Sequence, residues 1–251
     1  MPSESGYRAV CRVVRKLEHN EHYFTLWLRD ATIARAVPGQ FVMLQPQPQT
    51  DFSLRIPLCV HDVEDDTFAV LVRVVGQGTR RLAAVRPGDL LDVMGPLGNG
   101  FTLMAEGRAL LVSGGIGYAP LRLLQRRLRP GCVTQWLHGG RTAADLFPAD
   151  VLFCDEGVAA RQGLVTDGLR EALAASGGWD RVFACGPHAM LAACAGLCTE
   201  AGVPLEVSLE AYMACGIGVC HGCAVPAVTG GYMAVCKDGP VFNAQEVDWN
   251  E

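Results

Sequence analysis

The residues with the clearest chemical purpose lie near the C-terminus. Cys215, Cys220, Cys223 and Cys236 are spaced C-x4-C-x2-C-x12-C, and four thiolates at that spacing hold a 2Fe-2S cluster. Gly216, Gly218 and Gly222 lie between the ligands. Backbone that wraps a cluster needs tight turns, and its N–H groups can then face the sulfurs. Other uses of four cysteines stand beside this one. Structural zinc favours two C-x2-C pairs, and only one is present here. Disulfides belong to oxidising compartments, and a four-iron cluster is a third option. His221, between two of the cysteines, is a ligand type that some two-iron centres use. The 2Fe-2S reading fits the spacing best. A one-electron carrier needs an electron source, which directs attention to the rest of the chain.

Three further stretches can bind anions. Gly114-Gly115-Ile116-Gly117 separates an apolar run from a stretch of helical spacing, and a backbone there can approach a pyrophosphate at a helix N-terminus. Ala119-Pro120 stands where the G-x-G-x-x-G pattern has its last glycine. On these residues alone, a nucleotide loop and a plain tight turn are equally open. Cys185-Gly186-Pro187 is a second strand-to-helix turn, on the edge of a parallel sheet where ligands collect; its plain reading is a helix start with proline near the first position. Arg73, followed by Gly76-Gln-Gly78-Thr79-Arg80-Arg81, offers donors to a diphosphate, or forms a turn with solvated arginines.

The elements that position these groups follow from periodicity. Tyr7–Arg15, Tyr23–Leu28, Gln40–Leu44, Leu54–Val60, Phe68–Val75 and Leu90–Met94 read as six short strands separated by turn signals. They predict a small antiparallel barrel with one short helix, Thr79–Val85. Strands Ala109–Ser113, Cys132–Leu137, Val151–Cys154, Arg181–Cys185 and Leu205–Leu209 then alternate with helices Tyr118–Leu128, Val165–Ala174 and His188–Ala201. That order predicts a parallel sheet covered on both faces. The expected domains are 1–103, 104–205 and 206–251.

Composition sets the class. The 251 residues are 50% hydrophobic and 19% charged, a balance that suits two or three compact units. No apolar run is long enough to span a membrane. Met1–Gly6 leads into no apolar h-region, so a signal peptide is not expected and a cytoplasmic location is. The remaining cysteines, Cys11, Cys132, Cys154, Cys194 and Cys198 among them, then read as buried packing residues. Residues 206–251 hold six acids against one lysine, so the whole net charge of −5 resides there. An acidic segment around an anionic cluster argues against nucleic acid and suits a protein partner.

The cysteine segment Glu210–Cys223, the run Val235-Cys-Lys-Asp-Gly-Pro-Val-Phe242, and the tracts Arg86–Asp89, Gly95–Gly100, Gly114–Leu121 and Cys185–Pro187 together resemble the ferredoxin–NADP reductase superfamily. Within it, the resemblance is to the electron-transfer subunits of NAD-linked dihydroorotate dehydrogenases, and it covers nearly the whole chain. It implies an antiparallel FAD-binding barrel, a parallel-sheet NAD-binding domain and a small C-terminal 2Fe-2S domain. By the same resemblance Cys215, Cys220, Cys223 and Cys236 hold the cluster. Leu71, Val72 and Arg73, with Gly78 and Thr79, match the flavin strand and diphosphate turn. Gly114, Gly115, Gly117, Gly186 and Pro187 match the nicotinamide side, where Cys185 would help to place the nicotinamide against the flavin. One tetrad departs. Where the family has Arg-Pro-Ile/Leu-Ser, this chain has Ile56-Pro57-Leu58-Cys59, with Arg55 one residue early as a substitute cation. A thiol is also a weaker donor than a hydroxyl.

The implied function is electron transfer between NAD and an FMN-containing dihydroorotate dehydrogenase catalytic subunit, in a heterotetramer, for pyrimidine synthesis. FAD and the 2Fe-2S cluster would carry the electrons. Asp155-Glu156 would repel a 2′-phosphate, which favours NAD, whereas Arg141 would attract one. The alternatives are an NAD(P)H-dependent reductase subunit of a sulfide dehydrogenase or hydrogenase complex, and a redox sensor without turnover.

Overall fold

In the computed structural model, residues 7–46, 54–128, 131–156 and 160–250 are described. The first six strands are β1 (Arg8–Glu18), β2 (Tyr23–Arg29), β3 (Phe41–Pro46), β4 (Ile56–Glu64), β5 (Thr67–Arg73) and β6 (Leu90–Leu97). They close into a barrel of order β1-β2-β5-β4-β3-β6, antiparallel throughout. Phe24, Leu26 and Leu28 of β2 and Phe68, Val70 and Val72 of β5 fill its interior, as their period of two requires. Closure leaves no sheet edge to protect. Helix α1 (Gln77–Ala83) follows β5, starting two residues before the expected Thr79.

A second layer system follows. It comprises β7 (Gly107–Gly114), α2 (Tyr118–Leu128), β8 (Cys132–Gly140), β9 (Val151–Cys154), β10 (Arg161–Gln162), α3 (Val165–Ala174), β11 (Arg181–Cys185), α4 (His188–Ala201) and β12 (Leu205–Ser208). Strands β13 (Ala224–Pro226) and β14 (Tyr232–Ala234) form a hairpin, and β15 (Val241–Asn243) ends the set. The large sheet has the order β10-β9-β8-β7-β11-β12-β15. Its pairings are parallel except the last, where β15 runs antiparallel to β12. Strand β15 therefore comes from the cysteine segment yet completes the nucleotide-side sheet.

The barrel and the sheet share cores. Tyr23 and Leu71 of the barrel pack with Tyr118, Trp136 and Phe183. Phe41, Met43 and Leu97 pack with Cys223, Val235, Cys236 and Phe242. Burying a side chain of this size contributes roughly 1.5–3 kcal/mol, so each unit is held by its neighbours. A register shift between Val60 and Asp62 marks a bulge in β4, and bulges re-aim side chains. There His61 Nδ1 meets the Ala119 carbonyl at 3.0 Å, and buried Asp62 pairs with Arg126 and Arg122. Helix α2, which starts at the Gly114 turn, is thus fastened to β4. No helix among the described residues is long and apolar enough to cross a membrane.

Candidate functional site

The hairpin β13–β14 brings the cysteine segment together. Ala224 pairs with Ala234, and the Val235 amide donates to the Cys223 carbonyl, so Cys223 and Cys236 become neighbours. Their register places the Cys236 amide 3.4 Å from Cys223 Sγ. On the facing loop, the amides of Ile217 and Gly222 approach Cys215 Sγ and Cys220 Sγ at 3.5 Å, and Gly218 donates to Cys236 Sγ at 3.1 Å. Burial raises the Cys215 thiol, but amides of Ile217, Cys220 and Val219 outweigh it and bring the thiol down to about 6. Cys220 acts on the Cys215 thiol and Cys223 on that of Cys236, and all four thiols are free. Among the described residues, no three or more His, Cys, Asp or Glu side chains converge on one ion position. Four free thiols, Cys215 near Cys220 in the chain and Cys223 beside Cys236 across the hairpin, suit a two-iron cluster, which takes two thiolates at each iron. His221, with φ of 55° and an exposed side chain, stands outside the pairs.

The second part of the site is a cavity of about 470 Å³ along the C-terminal ends of β7, β8 and β9. Strand order reverses between β7 and β11, and open α/β sheets bind ligands at that switch point. Gly114 and Gly115 line the cavity beside Pro187 and Met190, with Gly140, Arg141, Asp155 and Thr166 farther along. Gly117 needs to be glycine because a Cβ there would strike the carbonyl of Cys185. The two turns predicted as the nicotinamide side are therefore packed directly together. At Gly186 a Cβ would meet the flexible end of Met190 at 2.6 Å and the Gly114 amide nitrogen at 3.1 Å, a milder constraint.

Arg73 lines this cavity and pairs with Asp145 at 3.5 Å. Tyr23 Oη donates to Asp145 at 2.7 Å, and His138 Nε2 lies 2.9 Å from the Asp145 carbonyl. Behind it, His138 Nδ1 bonds Ser113 Oγ, which also accepts from Trp136 Nε1. Tyr118 stacks between Trp136 and Phe147, a packing role. The network joins barrel to sheet beneath the cavity.

The barrel side carries the tetrad. Ile56, Pro57, Leu58 and Cys59 are all half-buried; Ile56 and Leu58 pack on the barrel core and Cys59 on the core shared with the sheet, so a flat ring system could cover only one of the two alternating faces. Leu71 and Val72 are buried to within 1%, so a flavin would meet their backbone and not their side chains. Gly78 packs beneath Ile56, whose Cδ1 would lie 3.0 Å from an added Cβ. The Thr79 hydroxyl accepts from the amides of Val75 and Gly76, so it braces the turn. Arg55, expected as the substitute cation, is engaged within the barrel. Its guanidinium pairs with buried Asp92 at 2.9 Å and points toward the Met43 and Asp92 carbonyls. Adjacent strand residues face opposite sides, and a buried carboxylate requires a partner.

One residue of this site carried no role in the sequence reading. Glu210 is exposed as a residue, and partial burial of its carboxyl raises it above the usual carboxylate range. Burial pushes the Cys59 thiol up to about 12 and that of Cys185 well above its usual range, and the Glu210 charge adds to both. Cys59 of the barrel and Cys185 of the sheet thus both feel the charge of Glu210, which opens the cysteine segment. The available signal was position, since Glu210 follows the last parallel strand on the ligand edge.

Comparison with known proteins fits this geometry. The sequence pattern of the "Iron-sulfur cluster binding domain of dihydroorotate dehydrogenase B" matches residues 210–248. The electron transfer subunit of dihydroorotate dehydrogenase B (NAD(+)) from Caldanaerobacter subterraneus subsp. tengcongensis is 38% identical, with 84% of this chain and 86% of that one aligned. The chain belongs to this family of electron transfer subunits. A Thermotoga maritima protein named as a homolog of the dihydroorotate dehydrogenase B electron transfer subunit is 36% identical over 98% of this chain and 90% of its own. Among solved structures, one reported for the NADH-dependent reduced ferredoxin–NADP oxidoreductase and flavin-based electron bifurcation superposes with a TM-score of 0.86. It is 33% identical over 98% of this chain and 92% of that one. The ferredoxin reductase of carbazole 1,9a-dioxygenase, 18% identical with a TM-score of 0.71 over 82% and 70% of the two chains, shares the fold of the electron transfer subunit.

Proposed function

We propose that this subunit carries electrons between NAD(H) and the catalytic subunit of dihydroorotate dehydrogenase B, through FAD and a 2Fe-2S cluster. The observation that carries the reading is four free cysteines with peptide amides at their sulfurs, on a segment whose Cys223, Val235 and Cys236 pack with both the barrel and the large sheet. NADH delivers two electrons as a hydride and an iron-sulfur cluster takes one at a time, so the flavin supplies the conversion between them.

The chain's own residues bind and orient. Residues 1–103 hold FAD along Ile56–Cys59, the backbone of Leu71–Arg73 and the turn at Gly78–Thr79. Residues 104–205 hold NAD at Gly114, Gly115, Gly117, Gly186 and Pro187. Residues 206–251 hold the cluster through Cys215, Cys220, Cys223 and Cys236. Cys185 places the nicotinamide, and Cys59, as a neutral thiol, presents a weak S–H donor to the flavin edge. Asp155 in the cavity wall opposes a 2′-phosphate and favours NAD.

The partner would dock at the cluster. Tyr212, Val219 and Tyr232 are 97%, 71% and 74% exposed beside exposed Cys220, an apolar group within an acidic segment. In this reading the partner is the FMN-bearing catalytic subunit, the assembly a heterotetramer, and the location the cytoplasm. Anaerobic spectra test it. NADH bleaches both the flavin and cluster bands, and with the catalytic subunit present dihydroorotate does the same. Bleaching by NADH with no response to dihydroorotate would transfer the subunit to another reductase complex, the kind of relative that the bifurcating oxidoreductase represents.

A further inference from the structure

The tract Gly95-Pro-Leu-Gly-Asn-Gly100 closes the barrel at β6, and nothing so far gives it a task. Its far side is the cluster segment. Asn99 Nδ2 donates to the carbonyls of Asp238, at 2.8 Å, and Lys237, at 3.3 Å. The Asn99 amide donates to the Gly239 carbonyl at 2.6 Å, and Asn99 forms an isolated bridge with Pro240. Three carbonyls in a row, starting one residue after the ligand Cys236, are thus held by one side chain and its own backbone.

Close packing completes the seat. Gly98, with φ of +72°, lies so near the segment that a Cβ would stand 2.7 Å from the Gly239 carbonyl. On the other side of the cluster, Gly216 has φ of +72°, and a Cβ there would meet Met43 Cγ at 2.8 Å and Leu97 Cδ1 at 3.4 Å. Gly216 follows the ligand Cys215. Met43 is the β3 residue that pairs with Pro57 of the flavin strand. One strand therefore separates Pro57 from the loop that holds the first ligand.

We propose that Gly95–Gly100 is the barrel's seat for the cluster-binding segment, and that Asn99 is the positioning residue that sets the flavin-to-cluster gap. The inference rests on the electron-transfer function proposed above. The step it governs moves one electron from flavin to cluster, so one centre is oxidised by one electron as the other is reduced by one, and no bond is made or broken. Geometry controls such a step, as it controls any reaction between groups held in place.

The test uses the full-length subunit loaded with FAD and cluster. Asn99→Ala is compared with wild type by anaerobic stopped-flow mixing with NADH, by iron content, and by hydrogen exchange of the amides in 236–240. The expected result is an unchanged rate of flavin bleaching, cluster bleaching slowed by about tenfold or more, two irons retained, and faster exchange across 236–240. Asn99→Gln, which keeps the donor, recovers much of the rate. Unchanged cluster bleaching in Asn99→Ala overturns the proposal, as does an equal slowing of both phases. Should Asn99→Ala lose iron, Asn99→Asp, of equal size but without the donor, decides the point by the same comparison. If NADH bleaches neither centre in wild type, the proposed electron-transfer function fails and not the seat.

Discussion

Eleven cysteines divide by environment. Burial pushes the thiols of Cys194 and Cys198, one turn apart on α4, up to about 12, and such groups pack as small apolar residues. Cys215, Cys220, Cys223 and Cys236 sit where peptide N–H groups face sulfur. Replacing Cys223 or Cys236 with serine is expected to remove the cluster, read as loss of the visible bands and a fall below two irons per chain. Cys194→Ser leaves both intact. The histidines make a second residue-scale prediction. Burial lowers His61 and His138 to about 4, from about 6.5 in an unfolded chain. Below pH 6.5 the unfolded chain takes up protons that the folded chain refuses. Their contribution is thus complete above pH 6.5 and is lost as the pH falls toward 4, on the order of 3 kcal/mol per histidine. Urea melts of wild type between pH 7.5 and 4.5 should show falling stability, with a flatter profile in His61→Gln.

Between elements, the joint at Asp145 does the fastening. Burial pushes its carboxyl up, but Tyr23, the Thr142 amide and Arg73 outweigh that and hold it below the usual carboxylate range. Tyr23→Phe removes a buried hydrogen bond to a charged group, so a loss of about 1.5–3 kcal/mol in unfolding free energy is expected, measured by denaturant titration. The elements themselves were largely legible. Alternation in Tyr23–Leu28 and Phe68–Val75, and the leucines of Tyr118–Leu128, gave strands and a helix close to those observed. Strand β15 was not legible, because three residues carry no period and its partner Leu205–Ser208 is set by long-range packing. The partner of Arg55 was not legible for a related reason: Asp92 lies on β6, and only barrel closure brings it to Arg55. The iron-sulfur segment was legible because its cysteine spacing is local, whereas the influence of Glu210 on Cys59 and Cys185 depends on three units assembling.

The whole molecule has a polarity of charge. The acidic excess of residues 206–251 falls in the segment that carries the four cysteines. Association with the catalytic subunit should therefore slow as salt rises from about 20 to 200 mM, because exposed charges are screened over shorter distances. Surface plasmon resonance at several ionic strengths would read this as a falling on-rate. A salt-independent on-rate would assign the docking to the apolar group around Tyr212 alone.

Strand β15 also bears on what can be cut from the chain. Residues 210–248 form a recognisable family unit by sequence, which invites excision. Yet β15 covers the edge of β12, and Val241 and Phe242 fill the cores on its two faces. A chain ending at Ser208 would present the row of unpaired backbone groups of β12 to any passing strand, the usual template for edge-to-edge aggregation. The excised piece would keep its four thiols but lose the barrel surface of Met43 and Leu97 that backs them. The electron carrier at the end of this chain is therefore not a cassette that can be moved between proteins. It can be exchanged only together with the sheet edge and barrel rim that shape it.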